Sequence, residues 1–88
     1  MSESDIERAV TKHAERAGWV SIKLAGGNDS GKPDRLYVGR DAQVVFIEFK
    51  DAGQKPRKLQ LWWAKKLRNL GHKVYFIDSK EVGYAVFD

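Results

Sequence analysis

Residues 44–49, Val44-Val45-Phe46-Ile47-Glu48-Phe49, are apolar at every position but one. A run of β-branched and aromatic side chains like this reads as a central strand covered on both faces. Whatever the chain folds into must therefore place layers on both sides of this strand. It must also accommodate Glu48, because burying an unpaired carboxylate is costly. A metal ion, or the lysine two positions on at Lys50, would remove that cost.

The segments around this strand fall into a simple order. Residues 4–17 carry Ile6, Val10, His13, Ala14 and Ala17 at helical spacing, with Gly18 in the position of a C-terminal cap. Ser4-Asp5-Ile6-Glu7 has the form of a capping box, in which Ser4 and Glu7 satisfy orphan amides. Residues 19–24 alternate Trp19, Ser21 and Lys23 with Val20, Ile22 and Leu24, the pattern of a strand with one buried face. Residues 25–33 are a loop rich in glycine, Asn28, Asp29 and Ser30. Residues 36–38 form a short strand, and Gly39-Arg40-Asp41-Ala42 turns the chain back into 44–49. A polar loop, 51–56, leads to a second helix over 59–70, with Leu59, Trp63, Leu67 and Leu70 on one stripe and Gly71 ending it. Residues 74–77 are a further buried strand, and 84–87 read as a short edge strand. The helix between 49 and 74 has the length of a crossover, so the strands that it joins are expected to be parallel. The fold class is α/β: a mixed central sheet flanked by helices.

With 88 residues there is room for one domain, spanning residues 1–88. So short a chain buries only about 60–65% of its unfolded surface. There is no cysteine to add disulfides, which also fits a reducing compartment. Self-association as a homodimer would make up the deficit. No apolar run approaches the ~20 residues needed to span a bilayer, and Met-Ser-Glu-Ser-Asp lacks the basic-then-apolar form of a signal peptide. The expected location is the cytoplasm, with no membrane partner. Sixteen Lys and Arg against twelve Asp and Glu give a net charge of +4, which suits a polyanionic partner.

The chemistry-bearing stretch is Lys32-Pro33-Asp34-Arg35, then the hairpin, then Ile47-Glu48-Phe49-Lys50. Side chains alternate along a strand, so Glu48 and Lys50 share a side. A tight hairpin brings Asp34 back beside Glu48. Two carboxylates suit a hard cation such as Mg²⁺ with open positions for water and a phosphate oxygen. Such an ion polarises a phosphoryl group and acidifies its bound water. A lysine beside it positions that water, takes up a proton, or stabilises developing negative charge. Taken singly, each residue has an ordinary reading. Pro33-Asp34 is a common turn dipeptide, and Glu48 and Lys50 are a surface ion pair worth under about 1 kcal/mol. Their convergence at one end of the sheet favours a phosphodiester-cleaving site.

Asp34 followed by Glu48-Phe49-Lys50 resembles the signature of the PD-(D/E)XK nuclease superfamily, including the proline at Pro33. The finer form, Gly31-Lys32-Pro33-Asp34 with a hairpin leading to Glu48-Phe49-Lys50, is similar to the virus-type replication-repair nuclease (VRR-NUC) group over nearly the whole chain. The resemblance implies a restriction-endonuclease-like core of order α-β-β-β-α-β. It implies metal ligation by Asp34, Glu48 and the Phe49 backbone carbonyl, with Lys50 as the catalytic lysine and Mg²⁺, or Mn²⁺ in its place, as cofactor. Glu7 matches an acidic residue on the first helix that binds metal directly or through water, and it also borders the apolar stripe. Gln60 matches a glutamine that orients the lysine or a phosphate. The implied activity is endonucleolytic cleavage of DNA to 5′-phosphate and 3′-hydroxyl ends. By analogy with dimeric junction resolvases the substrate is branched, and the setting is replication or repair in a bacterium or a phage-infected cell.

Lys32 and Arg35 flank Asp34, while Lys55, Arg57 and Lys58 open the second helix; all five are candidate phosphate contacts. Lys65, Lys66 and Arg68 read mainly as a solvated helix face. His13 and His72 have no partner at ligand spacing and are expected to be structural, which disfavours zinc. Gly26-Gly27 lacks the ending of a phosphate loop. Adjacent Trp62 and Trp63 diverge by roughly 100°. Trp63 belongs to the core stripe, and Trp62 is open to core-edge, base-stacking or dimer-contact roles, the last favoured by its apolar neighbours. Two other classes compete with the nuclease. One is a basic nucleic-acid-binding module without catalysis, although acidic groups facing phosphate serve no binder. The other is a protein-interaction domain, hinted at only by Trp62 and Tyr84.

Overall fold

Alternation and helical periodicity resolve, in the computed structural model, into α1 (Glu3–Arg16), β1 (Val20–Lys23), β2 (Arg35–Val38), β3 (Val44–Phe49), α2 (Lys58–Asn69), β4 (Lys73–Ile77) and α3 (Lys80–Phe87). The structure describes residues 1–24 and 30–88, so most of the expected glycine loop, including Gly26-Gly27, lies outside the described residues. The four strands form one mixed sheet in the order β1-β2-β3-β4. β1 pairs antiparallel with β2, and β2 antiparallel with β3 in a register that sets Arg35 opposite Ile47. β3 and β4 are parallel, as the crossover length requires. This is the mixed, restriction-endonuclease-like α/β arrangement expected from the sequence, with one helix more at its C-terminal end.

The core lies on one face of the sheet. Tyr37, Val45, Ile47, Phe49 and Ile77 point toward α1, where Ile6, Val10 and Ala14 recur at i, i+4, i+8 and are fully buried. Phe87 from α3 closes this layer, tilted against Tyr37 at 4.9 Å between ring centroids. The hairpin between β2 and β3 turns through Asp41 (φ 56°) and Ala42 (φ 61°), both left-handed, as a two-residue turn matching strand twist requires.

Four local expectations are corrected. Helix α1 begins one residue earlier than its periodicity suggests, and Ser2 is its N-cap: Ser2 Oγ accepts from the Asp5 amide at 3.2 Å. Ser4 is therefore no cap, and Glu7 is released from the capping-box reading. Residues 84–87 are helical, within α3. Ser79 Oγ caps that helix by accepting from the Val82 amide, and Gly83 and Phe87, four apart, are its buried positions. The Tyr-Ala-Val-Phe composition had suggested a strand, and tertiary burial on α1 overrides that propensity.

The face of β1 expected to be buried is open, with Val20 59% and Ile22 45% exposed. Helix α2 packs against β4 and leaves this half of the sheet uncovered, while the Ser21 side is the one turned to α1. Finally, the inward stripe of α2 is Gln60 and Ala64, not Leu59 and Leu70, which are 45% and 75% exposed. The sheet face beneath α2 carries Glu48 and Lys50, so the helix is rotated by about one residue, or roughly 100°, to meet them with an amide.

Gly83 sits where α3 crosses α1. A Cβ there would lie 2.3 Å from Val10 Cγ2, and Val10 is fully buried with no room to retreat. Alanine for glycine ordinarily favours a helix by about 0.5–1 kcal/mol. Here Gly83→Ala is expected to have the opposite sign, destabilising by about 1–3 kcal/mol in urea unfolding because the contact is overpacked.

Candidate functional site

The C-terminal end of β3, the entry to β2 and the first turns of α1 and α2 surround a cleft of about 490 Å³. Asp34, Glu48, Lys50 and Gln60 all line it, as do Glu3 and Glu7 from α1. Gly31 (φ 73°) lets the strand-entry loop lie against α2; a Cβ there would meet Leu59 Cγ at 2.6 Å. That close approach holds Lys32-Pro33-Asp34 beside the end of β3.

Backbone geometry sets the carboxylates. Asp34 Oδ2 accepts from the Phe49 amide at 2.7 Å, which ties the start of β2 to the end of β3. Glu48 projects toward α2, where the Gln60 amide nitrogen donates to its Oε2. Gln60 Oε1 accepts from Lys50 Nζ and from the Arg57 amide, both at 2.9 Å. One buried glutamine thus holds a carboxylate, an ammonium and the first turn of its own helix. Glu48, Lys50 and Gln60 are 7%, 4% and 4% exposed.

The second oxygen of Glu48, Oε1, is buried and has no hydrogen-bond partner among the described residues. Burial, followed by the charge of Asp34, pushes the Glu48 carboxyl up to about 8, against the opposing pull of Lys50. Burial likewise raises Asp34, with the Phe49 amide working the other way. Two carboxylates lie together here, one with an oxygen that no described residue satisfies. This donor set fits a small divalent cation that prefers oxygen. Among the described residues no three His, Cys, Asp or Glu side chains converge as metal ligands, so backbone, water or phosphate oxygens would have to complete its shell.

The acidic residues of α1 divide. Glu7 is committed to cations: Arg35 Nε lies at 2.6 Å and Lys23 Nζ at 3.1 Å, and although burial acts to raise its carboxyl, these two partners bring it below the usual range. Glu3, one turn earlier, lines the cleft and is raised by burial and then by Asp34. Sequence reasoning missed Glu3; its i, i+4 spacing from Glu7 was the available signal. Asp51 fixes this corner by accepting from the Glu3 amide at 2.7 Å, a free donor at a helix N-terminus.

The basic residues also divide. Lys32 and Arg57 line the cleft. Arg35 does not reach it freely, being held by Glu7 and by Ser21 Oγ at 2.8 Å. Lys55 and Lys58 are exposed outside the lining. The two histidines lie elsewhere: His13 Nε2 is 2.6 Å from Asp88 Oδ1 and stacks on Tyr84, and His72 meets Phe46 edge-on.

Comparison with known proteins bears on this arrangement. No protein-family model matches the chain. It is 31% identical over 80 residues to "Putative nuclease p44" of Acyrthosiphon pisum secondary endosymbiont phage 1, covering 91% of this chain and 86% of that protein. A solved structure described as a VRR_NUC domain superposes with a TM-score of 0.85 at 26% identity, over 96% of this chain and 91% of the other. The chain belongs to the VRR-NUC family. A second solved structure, a VRR_NUC domain protein, shares the fold of this VRR-NUC chain with a TM-score of 0.79 at 17% identity, over 98% and 84% of the two chains.

Proposed function

We propose that residues 1–88 form a single VRR-NUC domain that acts as a divalent-metal-dependent endonuclease, hydrolysing phosphodiester bonds of DNA. The observation that carries this reading is buried Glu48, with an oxygen that no described residue satisfies, paired with half-buried Asp34 beside a lysine held by Gln60. A basic binding module would gain nothing from setting a buried and a half-buried carboxylate where phosphate must lie. The name of the p44 relative and the fold of the VRR_NUC structures support the same class.

In this reading Asp34, Glu48 and the Phe49 carbonyl hold Mg²⁺, or Mn²⁺ in its place. When bound, the ion supplies a Lewis acid for the phosphoryl oxygen and an acidified water. Among the described residues Lys50 has one hydrogen bond, to Gln60, and it retains donors for a phosphate oxygen or the attacking water. Gln60 is the positioning residue for both Lys50 and Glu48. Glu7 acts at a distance, keeping Arg35 and Lys23 at the edge of the cleft, and Lys32, Arg57, Lys55 and Lys58 take flanking phosphates. The products carry 5′-phosphate and 3′-hydroxyl ends.

The substrate is branched DNA in replication or repair, cut in a bacterial or phage-infected cytoplasm by a homodimer. The open β1–β2 face, with Val20 and Ile22 exposed, is the surface offered for pairing two copies. Among the described residues no helix is long and apolar enough to cross a membrane.

Labelled four-way junction, flap and linear duplex DNA, incubated with Mg²⁺, Mn²⁺ or EDTA, test the activity. The expected result is metal-dependent cutting that prefers the branched substrates and disappears in Glu48→Ala and Lys50→Ala. Binding without cutting, unchanged by either substitution, would replace the enzyme with a non-catalytic nucleic-acid-binding module.

A further inference from the structure

Helix α2 carries Lys58, Lys65, Lys66 and Arg68 and no acidic residue, so its formal charge equals the +4 of the entire chain. In the middle of this cationic surface Trp62 is 51% exposed. Lys58, Lys65 and Lys66 stand at i−4, i+3 and i+4 from it, on the same side of the helix. Lys66 Nζ lies 5.1 Å from the Trp62 ring centroid. Trp62 in turn meets Trp63 edge-to-face, 5.3 Å between centroids at 89°. Trp63 is fixed, because its indole N–H donates to the Ser30 carbonyl at 2.9 Å. Lys32 Nζ lies 5.8 Å from the Trp63 ring, and Lys32 also lines the cleft beside Asp34. An aromatic, cation-flanked path therefore runs from the cleft to the open face of Trp62.

We propose that this path is a stacking platform for an unpaired nucleotide, and hence that the strand held in the cleft is single-stranded on the α2 side. The inference rests on the nuclease reading of the cleft, which supplies the phosphate backbone that Lys32 would join to the platform. Charge complementarity selects the occupant. A second copy of the chain would bring an equally cationic helix against this one, whereas a nucleic acid strand brings phosphates. Within the strand, only an unpaired base offers a free ring face to an indole, because bases inside a duplex are already stacked on both sides. A rigid tryptophan stiffened by its neighbour costs little entropy to use.

Binding without metal separates this from catalysis. Fluorescence anisotropy in EDTA at low salt would use labelled oligothymidylate of about 12 nucleotides and a duplex of about equal length. Trp62→Ala is expected to weaken oligothymidylate binding by about 5- to 100-fold, with duplex binding changed less than about twofold and Trp62→Phe within about threefold of wild type. Circular dichroism melting shows that the variants fold, and sedimentation reads their oligomeric state. Wild-type affinity for oligothymidylate in Trp62→Ala overturns the platform, as does a wild-type dimer that becomes a monomer in that variant, since a second copy would then occupy the face. Flap cleavage judges the other reading separately. If Trp62→Ala loses oligothymidylate affinity while wild type cuts nothing with Mg²⁺ or Mn²⁺, the platform stands and the nuclease falls. If wild type cuts and Trp62→Ala binds oligothymidylate normally, the nuclease stands and the platform falls.

Discussion

Glu48→Gln is expected to abolish cleavage and, in the absence of metal, to make the fold more stable at alkaline pH. The first effect follows from the proposed metal-holding role of this carboxylate: losing an ion's transition-state stabilisation of several kcal/mol corresponds to a loss of roughly 10³-fold or more. The second follows from burial. Glu48 has an ordinary carboxyl value of 4.5 that is pushed up to about 8 in the folded protein by burial and by Asp34. The folded state therefore holds this proton more tightly than the unfolded chain. The stability that the proton contributes is fully present below about pH 4.5 and is lost as pH rises through 8. In EDTA, wild-type Tm should fall on the order of 5–10 °C between pH 6 and pH 9. Glutamine, nearly isosteric and never charged, should flatten that slope. Mg²⁺ should restore wild-type Tm at pH 9 and leave the variant unmoved. Identical pH slopes, or equal Mg²⁺ stabilisation of both proteins, would contradict the placement of the ion at Glu48.

Gln60→Leu is expected to be nearly as disruptive, although Gln60 touches no substrate in the proposed mechanism. Its amide serves Glu48 Oε2, Lys50 Nζ and the Arg57 amide at once. Leucine fills the same space and leaves a buried ammonium and a buried carboxylate oxygen without those bonds. Such losses cost about 1–3 kcal/mol per group, so a Tm decrease on the order of 10–20 °C is expected. Cleavage should fall about 10–100-fold through misplacement of Lys50 and Glu48. The double variant Lys50→Met/Gln60→Leu separates the two effects. Replacing the ammonium as well removes one of the orphaned groups and should recover part of the lost Tm while activity stays absent, Glu48 still lacking its amide. A Gln60→Leu protein as stable and active as wild type would reduce the glutamine to packing.

The expectations that failed share a cause. Val20 and Ile22 alternate as a buried face should, yet β1 is an edge strand beyond the reach of α2, and the same side chains face outward. Leu59 and Leu70 form a plausible helical stripe, yet α2 turns Gln60 and Ala64 inward because Glu48 and Lys50 lie beneath it. Residues 84–87 read as strand by composition but form part of a helix, because Gly83 permits close approach to Val10. In each case periodicity identified amphipathicity without saying which partner would cover it.

What the chain determined by itself was local or nearly so. The interrupted apolar run at 44–49, the hairpin that returns Asp34 to Glu48, and the crossover that makes β3 and β4 parallel all follow from side-chain alternation and connection length. The alternation and the hairpin made Asp34, Glu48 and Lys50 legible as one site, and Gln60 joined them only through the family resemblance. Tertiary structure alone decided how the charges around that site were apportioned. Arg35 went to Glu7, Glu3 came to the cleft, Lys32 reached toward Trp63, and Glu48 was left with an oxygen that no described residue satisfies. Those outcomes depend on distances of a few ångströms between segments far apart in sequence, and electrostatic interactions in a partly buried cleft change steeply over that range.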